Sequence, residues 1–262
     1  MNQNFNETEY WPLRYGNAVE IYGSIEDKTN FPVKDGYVVR NNYIYEIYDA
    51  GMTFQYTAGE GKYAKVERVE FDNNVVEYCS YNIEYWNGTK ETSNEGILNN
   101  TYINKVYFTN NILRYAGYGY TETRGEHGYE ALIKSWDGGV VGHNVIKDGG
   151  EFIIRDNILD TTGQLNDNQG NLVGTWMLHI CASNAGSMPT FINNKFYNYR
   201  NRNLGYLYTN DTYRTLIPYN EQLKYNDSIL KNNTFVIYDE ESAPTGKKNG
   251  TTNEDTWTLD LD

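Results

Sequence analysis

Short runs of alternating apolar and polar residues cover this chain, and one phrase punctuates them again and again. A β-branched or aromatic run meets a polar pair that ends in asparagine, and a second apolar run follows. The phrase reads Gly36-Tyr-Val-Val-Arg-Asn-Asn42-Tyr-Ile, then Val69-Glu-Phe-Asp-Asn-Asn74-Val-Val, then Val106-Tyr-Phe-Thr-Asn-Asn111-Ile-Leu. It returns as Phe152-Ile-Ile-Arg-Asp-Asn157-Ile-Leu, Thr190-Phe-Ile-Asn-Asn194-Lys-Phe and Ser228-Ile-Leu-Lys-Asn-Asn233-Thr-Phe. Val106, Phe108 and Ile112 fall on one parity against Tyr107 and Thr109, the period of a strand. Apolar residues do not recur at the i, i+3, i+4 spacing of a helix. The pattern predicts strand, turn, strand.

The closing asparagines stand at 42, 74, 111, 157, 194 and 233, so the steps are 32, 37, 46, 37 and 39 residues. A loose period of this size marks a solenoid whose insertions vary in length. The alternative is a β-sandwich in which each pair is a hairpin turn. Hairpins favour Asn-Gly, however, and no pair here is followed by glycine. In a solenoid the six asparagines stack, each side-chain amide bonding the next circuit. The same residues suit the left-handed backbone of a sharp corner. The expected fold is all-β, a parallel β-helix.

Composition sharpens this picture. Among 262 residues there are 26 tyrosines, five tryptophans and 35 asparagines. Aromatics favour strands and asparagine favours turns, which fits many short strands joined by tight corners. The net charge of −13 argues against a nucleic-acid backbone or an anionic membrane as partner. No run approaches the roughly 18 apolar residues of a membrane helix, and no signal peptide is visible. Cys79 and Cys181 are far apart and read as apolar fillers. No Cys or His spacing suits zinc, and Asn166-Asp-Asn-Gln-Gly-Asn171 does not fit a calcium loop, so no metal set is expected.

In Arg14-Tyr-Gly-Asn-Ala-Val-Glu-Ile-Tyr-Gly23, the run Val39 to Gly51, and Tyr81-Asn-Ile-Glu-Tyr-Trp-Asn87, the chain resembles the right-handed parallel β-helix repeat proteins. These form the broad pectate-lyase-like group, and the likeness spans roughly residues 14 to 237. The group holds lyases, hydrolases, epimerases and phage tailspikes, so the resemblance implies a fold and not one activity. It also implies an extracellular or cell-surface setting, and a substrate groove rimmed by loops along one face.

A third turn should follow each pair of strands, at Asp49-Ala-Gly51, Cys79-Ser80 and Ala116-Gly117, leading into Met52–Tyr56, Tyr81–Trp86 and Tyr118–Glu122. Long insertions, Asn87 to Tyr102 and Thr123 to Val140, come after these strands. With Met52, Phe54, Ile83 and Tyr85 inward, alternation turns Thr53, Gln55, Asn82, Glu84 and Trp86 outward. A carboxylate beside an indole suits sugar binding, because the ring stacks on a pyranose. The segment Thr121-Glu122-Thr123-Arg124-Gly125-Glu126-His127-Gly128 gathers one His, one Arg and two carboxylates. Histidine titrates near neutrality and arginine neutralises a uronic acid, as a lyase requires. A glycosidase needs only two carboxylates.

The candidate catalytic residues are therefore Glu84, Glu122, Arg124 and His127, with Gln55, Asn82, Trp86, Tyr120 and Glu126 as candidate substrate contacts. His143 and His179 read as structural, His179 within the strand Trp176-Met-Leu-His-Ile180. The expected partner is a polysaccharide or oligosaccharide. A glycan-binding module without chemistry, or a structural rod, are the other classes this pattern admits. Residues 1–238 form the β-helix, and 239–262 form a linker-like tail that could close as a last strand at Thr256-Trp-Thr-Leu-Asp-Leu261. Solenoid ends usually carry caps. The pattern shows no amphipathic helix before Tyr15, and further domains of a longer chain are expected.

Overall fold

A computed structural model describes residues 16–23, 36–47, 49–58, 64–89, 101–116, 131–135, 146–162, 176–182, 189–199, 205–209, 212–216, 230–238 and 254–259. Among them there is no helix. A first strand β1 (Val19–Gly23) precedes a series of three-strand circuits. The first circuit is β2 (Tyr37–Arg40), β3 (Tyr43–Tyr45) and β4 (Ala50–Ala58). The second is β5 (Ala64–Asp72), β6 (Val75–Glu77) and β7 (Tyr81–Thr89). Next come β8 (Thr101–Thr109), β9 (Ile112–Arg114) and β10 (Ala131–Ser135), then β11 (Ile146–Arg155), β12 (Ile158–Asp160) and β13 (Trp176–Ala182). A fifth circuit holds β14 (Thr190–Ile192), β15 (Lys195–Tyr199) and β16 (Gly205–Thr209), with β17 (Thr212–Leu216) after it. The chain then forms β18 (Leu230–Lys231), β19 (Asn233–Tyr238) and β20 (Glu254–Leu259).

Strands three apart in the chain pair with each other. The first sheet runs β1-β4-β7-β10-β13-β16-β17, the second β2-β5-β8-β11-β14-β18, and the third β3-β6-β9-β12-β15-β19-β20. Every pairing is parallel except two, where β17 lies antiparallel to β16 and β20 antiparallel to β19. This recurrence is consistent with a parallel β-helix. The tail thus contributes a strand at Glu254–Leu259.

Side chains from all three sheets meet in one apolar cluster, with Phe54, Tyr85 and Ile133 from the first, Phe71 and Phe108 from the second, and Val76 and Leu113 from the third. Like residues repeat at like positions, so rings stack from circuit to circuit. Phe71 lies over Phe108 at 5.3 Å, Phe54 over Tyr85 at 5.5 Å, and Phe196 over Phe235 at 4.7 Å between centroids. Each fully buried ring contributes roughly 1.5–3 kcal/mol of apolar transfer. The corner shifts the parity, however. Val106 and Phe108 are buried before it, but after it Leu113 enters the core and Ile112 does not.

The asparagine ladder forms as the spacing predicts. Each ladder Oδ1 accepts two bonds from the preceding circuit, one from the backbone N–H and one from Nδ2 of its asparagine. Asn74 thus donates to Asn111 at 3.0 Å twice, Asn111 to Asn157 at 2.8 and 3.1 Å, Asn157 to Asn194 at 3.0 Å twice, and Asn194 to Asn233 at 2.8 and 3.0 Å. The second Nδ2 hydrogen reaches back to a strand carbonyl, Val39 for Asn74, Phe71 for Asn111, Phe108 for Asn157 and Ile154 for Asn194. Asn42 opens the ladder and is exposed, while Asn74 to Asn233 are buried.

The left-handed backbone falls elsewhere. It is the first residue of each pair that has positive φ: Asn41, Asn73, Asn110, Asp156, Asn193 and Asn232, all between 52° and 62°. Each asparagine in a pair has one job. The first supplies the bend, and the second keeps ordinary backbone and supplies the ladder. A second bend, three residues before the expected third turn in the first circuit and one before it in the next two, uses Glu46, Tyr78 and Tyr115 at φ 55°, 55° and 58°. Neither glutamate nor tyrosine favours this conformation. Neighbouring circuits hold it, through Glu46 N–H to Glu77 O and Tyr115 N–H to Asp160 O at 3.2 Å each, and through the Tyr78 and Tyr115 rings 5.1 Å apart.

One strand is misplaced by the sequence pattern. The neighbour of β7 is not Tyr118–Glu122 but β10, which begins 13 residues further on at Ala131, because the third circuit's insertion precedes its strand. The span 123–140 therefore contains a strand of the first sheet, and 117–130 lies outside the described residues.

The ladder makes a sharp prediction. Asn111→Ala removes a double acceptor and leaves the Asn74 N–H and Phe71 carbonyl buried without it. The expected loss is roughly 3 kcal/mol or more, against less than about 1 kcal/mol for exposed Asn42→Ala. Urea unfolding followed by circular dichroism measures both.

Candidate functional site

The register of the first sheet brings together side chains far apart in sequence. Thr53 stands opposite Glu84, Glu84 opposite Lys134, and Lys134 opposite His179. Glu20 continues the row at one end and Tyr206 at the other. Because Phe54 and Tyr85 point into the core, alternation sends Thr53 and Glu84 to the outer face. Adjacent strands are about 4.8 Å apart, so these polar groups are near neighbours.

Glu20 is exposed, but the four residues in the middle of the row are closed to water. Thr53 is 0% exposed, Glu84 5%, Lys134 3% and His179 5%. The sequence pattern places Glu84 on an open groove, and burial of these four neighbours changes what they can do. A carboxylate cannot be buried charged without compensation. Lys134 Nζ lies 3.7 Å from Glu84 Oε1 and 4.0 Å from the centre of the Tyr81 ring, so the ammonium is held by an anion and a π face together. Three titratable groups of different character, a carboxylate, an amine and an imidazole, are thus held in line on three consecutive strands.

Asn82, expected on the outer face, is wholly buried at the corner where the chain enters the first sheet. Its Nδ2 donates to Val76 O at 2.7 Å and to Arg114 O at 3.0 Å, tying β6 and β9 to β7. Its counterpart one circuit earlier is Gly51, where a Cβ would come within 2.4 Å of Val76 Cγ1, so only glycine fits there. Gln55 and Trp86 are opposite each other in backbone register. Nothing further is described of their side chains. Tyr120, Glu122, Arg124, Glu126, His127 and His143 lie outside the described residues.

A second polar row crosses the outer face of the third sheet. Glu77, 5% exposed, accepts hydrogen bonds from the Tyr43 hydroxyl on one side and from Arg114 Nε on the other. Asp160 follows Arg114 in register. The bond to Glu77 raises the Tyr43 phenol above its ordinary pKa. On the second sheet, Asp72 accepts from Asn110 Nδ2 at 2.9 Å and Thr109 Oγ1 at 2.7 Å, which lowers its carboxyl pKa. Burial pushes the Cys79 thiol up to about 12, fitting its place in the core. Among the described residues no group of His, Cys, Asp and Glu side chains could hold a metal ion. Nor is any helix there long and apolar enough to cross a membrane.

Sequence reasoning missed Lys134 and took His179 as structural. The available signal was Lys134 as the one charge in Ala131-Leu-Ile-Lys-Ser135, a run that is otherwise apolar or small. Its meaning depends on the register, which the insertion before β10 conceals. No protein-family model, curated protein or solved structure matches the chain.

The buried pair has a measurable signature. Lys134→Met takes the buried ammonium away from the Glu84 carboxylate and should cost about 3 kcal/mol or more. Adding Glu84→Gln to it should restore most of that loss. Urea midpoints of the wild type, both single variants and the double variant complete the cycle.

Proposed function

We propose that the chain is a right-handed parallel β-helix, akin to the pectate-lyase-like group, that binds an extracellular polysaccharide and cleaves it on the outer face of its first sheet. Right-handedness rests on the strong preference of parallel crossover connections for that hand. The observation that carries the functional reading is the in-register row Glu84, Lys134 and His179. Proton abstraction beside a uronic carboxylate needs a base and a cation, and an imidazole next to an ammonium offers both. Glu84 orients the ammonium until substrate displaces it. The proposal also takes Glu122, Arg124 and His127 as catalytic residues, with Gln55, Trp86, Tyr120 and Glu126 as sugar contacts.

A second reading, glycan binding without cleavage, is favoured by one specific observation. Glu84 and Lys134 are already paired and almost wholly buried, as a structural tie would be.

A panel of neutral and uronic polysaccharides separates the two, with unsaturated products and reducing ends as readouts. The cleavage reading expects product from at least one uronic polymer. It also expects Glu84→Gln and His179→Ala, each folded by circular dichroism, to lower turnover by roughly two orders of magnitude or more. Affinity electrophoresis that shows binding with no product moves the function to recognition. Neither binding nor product across the panel removes the carbohydrate reading.

A further inference from the structure

We propose that the edge strand β3 pairs antiparallel with its own copy, joining two chains through a two-fold axis at Ile44. Among the described residues, the exposed large apolar side chains are Val38, Tyr43 and Tyr45, at 43%, 60% and 53%. All three lie on β2 and β3, which end the second and third sheets. The next residues along Tyr43's row, Val75 and Ile112, are only half-exposed. An edge strand presents unpaired N–H and C=O groups, and natural edges are usually blunted by charge, bulge or cover. β3 has no charged residue, since its sequence is Tyr-Ile-Tyr.

That sequence reads the same in both directions, which decides the occupant. Antiparallel pairing about Ile44 sets Tyr43 opposite Tyr45 of the second copy, and Tyr45 opposite its Tyr43. A two-fold interface is isologous and needs this self-complementarity. The two tyrosines already stack face to face, with centroids 5.2 Å apart at 25°, so the pair forms one aromatic patch on one side of the strand. Cross-strand aromatic pairs stabilise antiparallel ladders. On the inner side Ile44, 8% exposed and part of the apolar core, meets its own symmetry mate. The far end of the same sheet shows the same preference, because β20 closes it by antiparallel pairing with β19. Head-to-tail stacking would have to displace that strand, so a closed pair is favoured over a filament.

Each chain carries a net charge of −13. Repulsion between copies is screened by salt, so association should strengthen as ionic strength rises. Sedimentation equilibrium of the full chain over a concentration series should show a monomer–dimer equilibrium of this sign. Tyr43→Lys with Tyr45→Lys sets like charges opposite one another and should leave a monomer with unchanged circular dichroism. The register has its own test, which does not depend on that variant folding. An equimolar mixture of Tyr43→Cys and Tyr45→Cys chains should oxidise to a mixed disulfide dimer in higher yield than either chain alone, with the wild type as control for the native thiols. A wild type that stays monomeric at every concentration overturns the proposal. So does a dimer that survives both lysines, or equal cross-linking in the unmixed samples. Slow amide exchange of β3 in a monomer likewise overturns it and assigns the edge to another segment of the same chain.

Discussion

Every circuit of this chain depends on one hydrogen-bonded column. An asparagine side chain has one acceptor oxygen and two amide hydrogens, and in the ladder all three are used. The oxygen takes both donors of the asparagine in the preceding circuit, and the second amide hydrogen ties off a strand carbonyl at the corner. A corner exposes backbone groups that no ladder of strands can satisfy, and a buried one without a partner costs about 1–3 kcal/mol. The column therefore solves the problem of turning a chain sharply inside a packed structure. It works only if each asparagine lies above the last, so it also fixes the register between circuits.

That fixed register has consequences at a distance. It stacks Phe71 on Phe108 in the core, and on the outer face of the first sheet it puts Glu84 beside Lys134 and Lys134 beside His179. A slip of one residue would turn each of these side chains to the opposite face. The three faces meet solvent differently. The second sheet carries exposed charges of both signs such as Arg68 and Glu151, and the third shows tyrosines at its edge. On the first, Thr53, Glu84, Lys134 and His179 are buried, while Glu20 at its end is exposed. A run of four buried polar residues in register, Thr53, Glu84, Lys134 and His179, sets the first face apart from the other two.

The sequence was informative wherever one residue type answers one local need. Asparagine recurs at the corner because its short side chain carries one acceptor oxygen and two amide hydrogens, all of which the ladder uses, so its positions predict the ladder directly. Prediction failed where the need is met by neighbours. Glu46, Tyr78 and Tyr115 adopt left-handed backbone against their own preference, Glu46 and Tyr115 held by backbone bonds to the next circuit and Tyr78 by its ring against Tyr115, and nothing local announces it. The parity change from Phe108 to Leu113 follows from Asn110's bend. The candidate site was half legible. Glu84 was found from alternation, but its partner Lys134 was not, because an insertion of variable length precedes β10 and breaks any count from the corner. Burial of the row is a property of what packs over it, which alternation along a strand does not encode.

The claim that the ladder sets the register can be tested at the side chains that form it. Hydrogen exchange of assigned asparagine side-chain amides, observed by NMR, reads each Nδ2 group separately. The account predicts that Asn74, Asn111, Asn157 and Asn194 exchange slowly, in step with the backbone amides of their strands, while exposed Asn41 and Asn193 exchange quickly. Fast exchange at the four buried positions in the folded protein would contradict it.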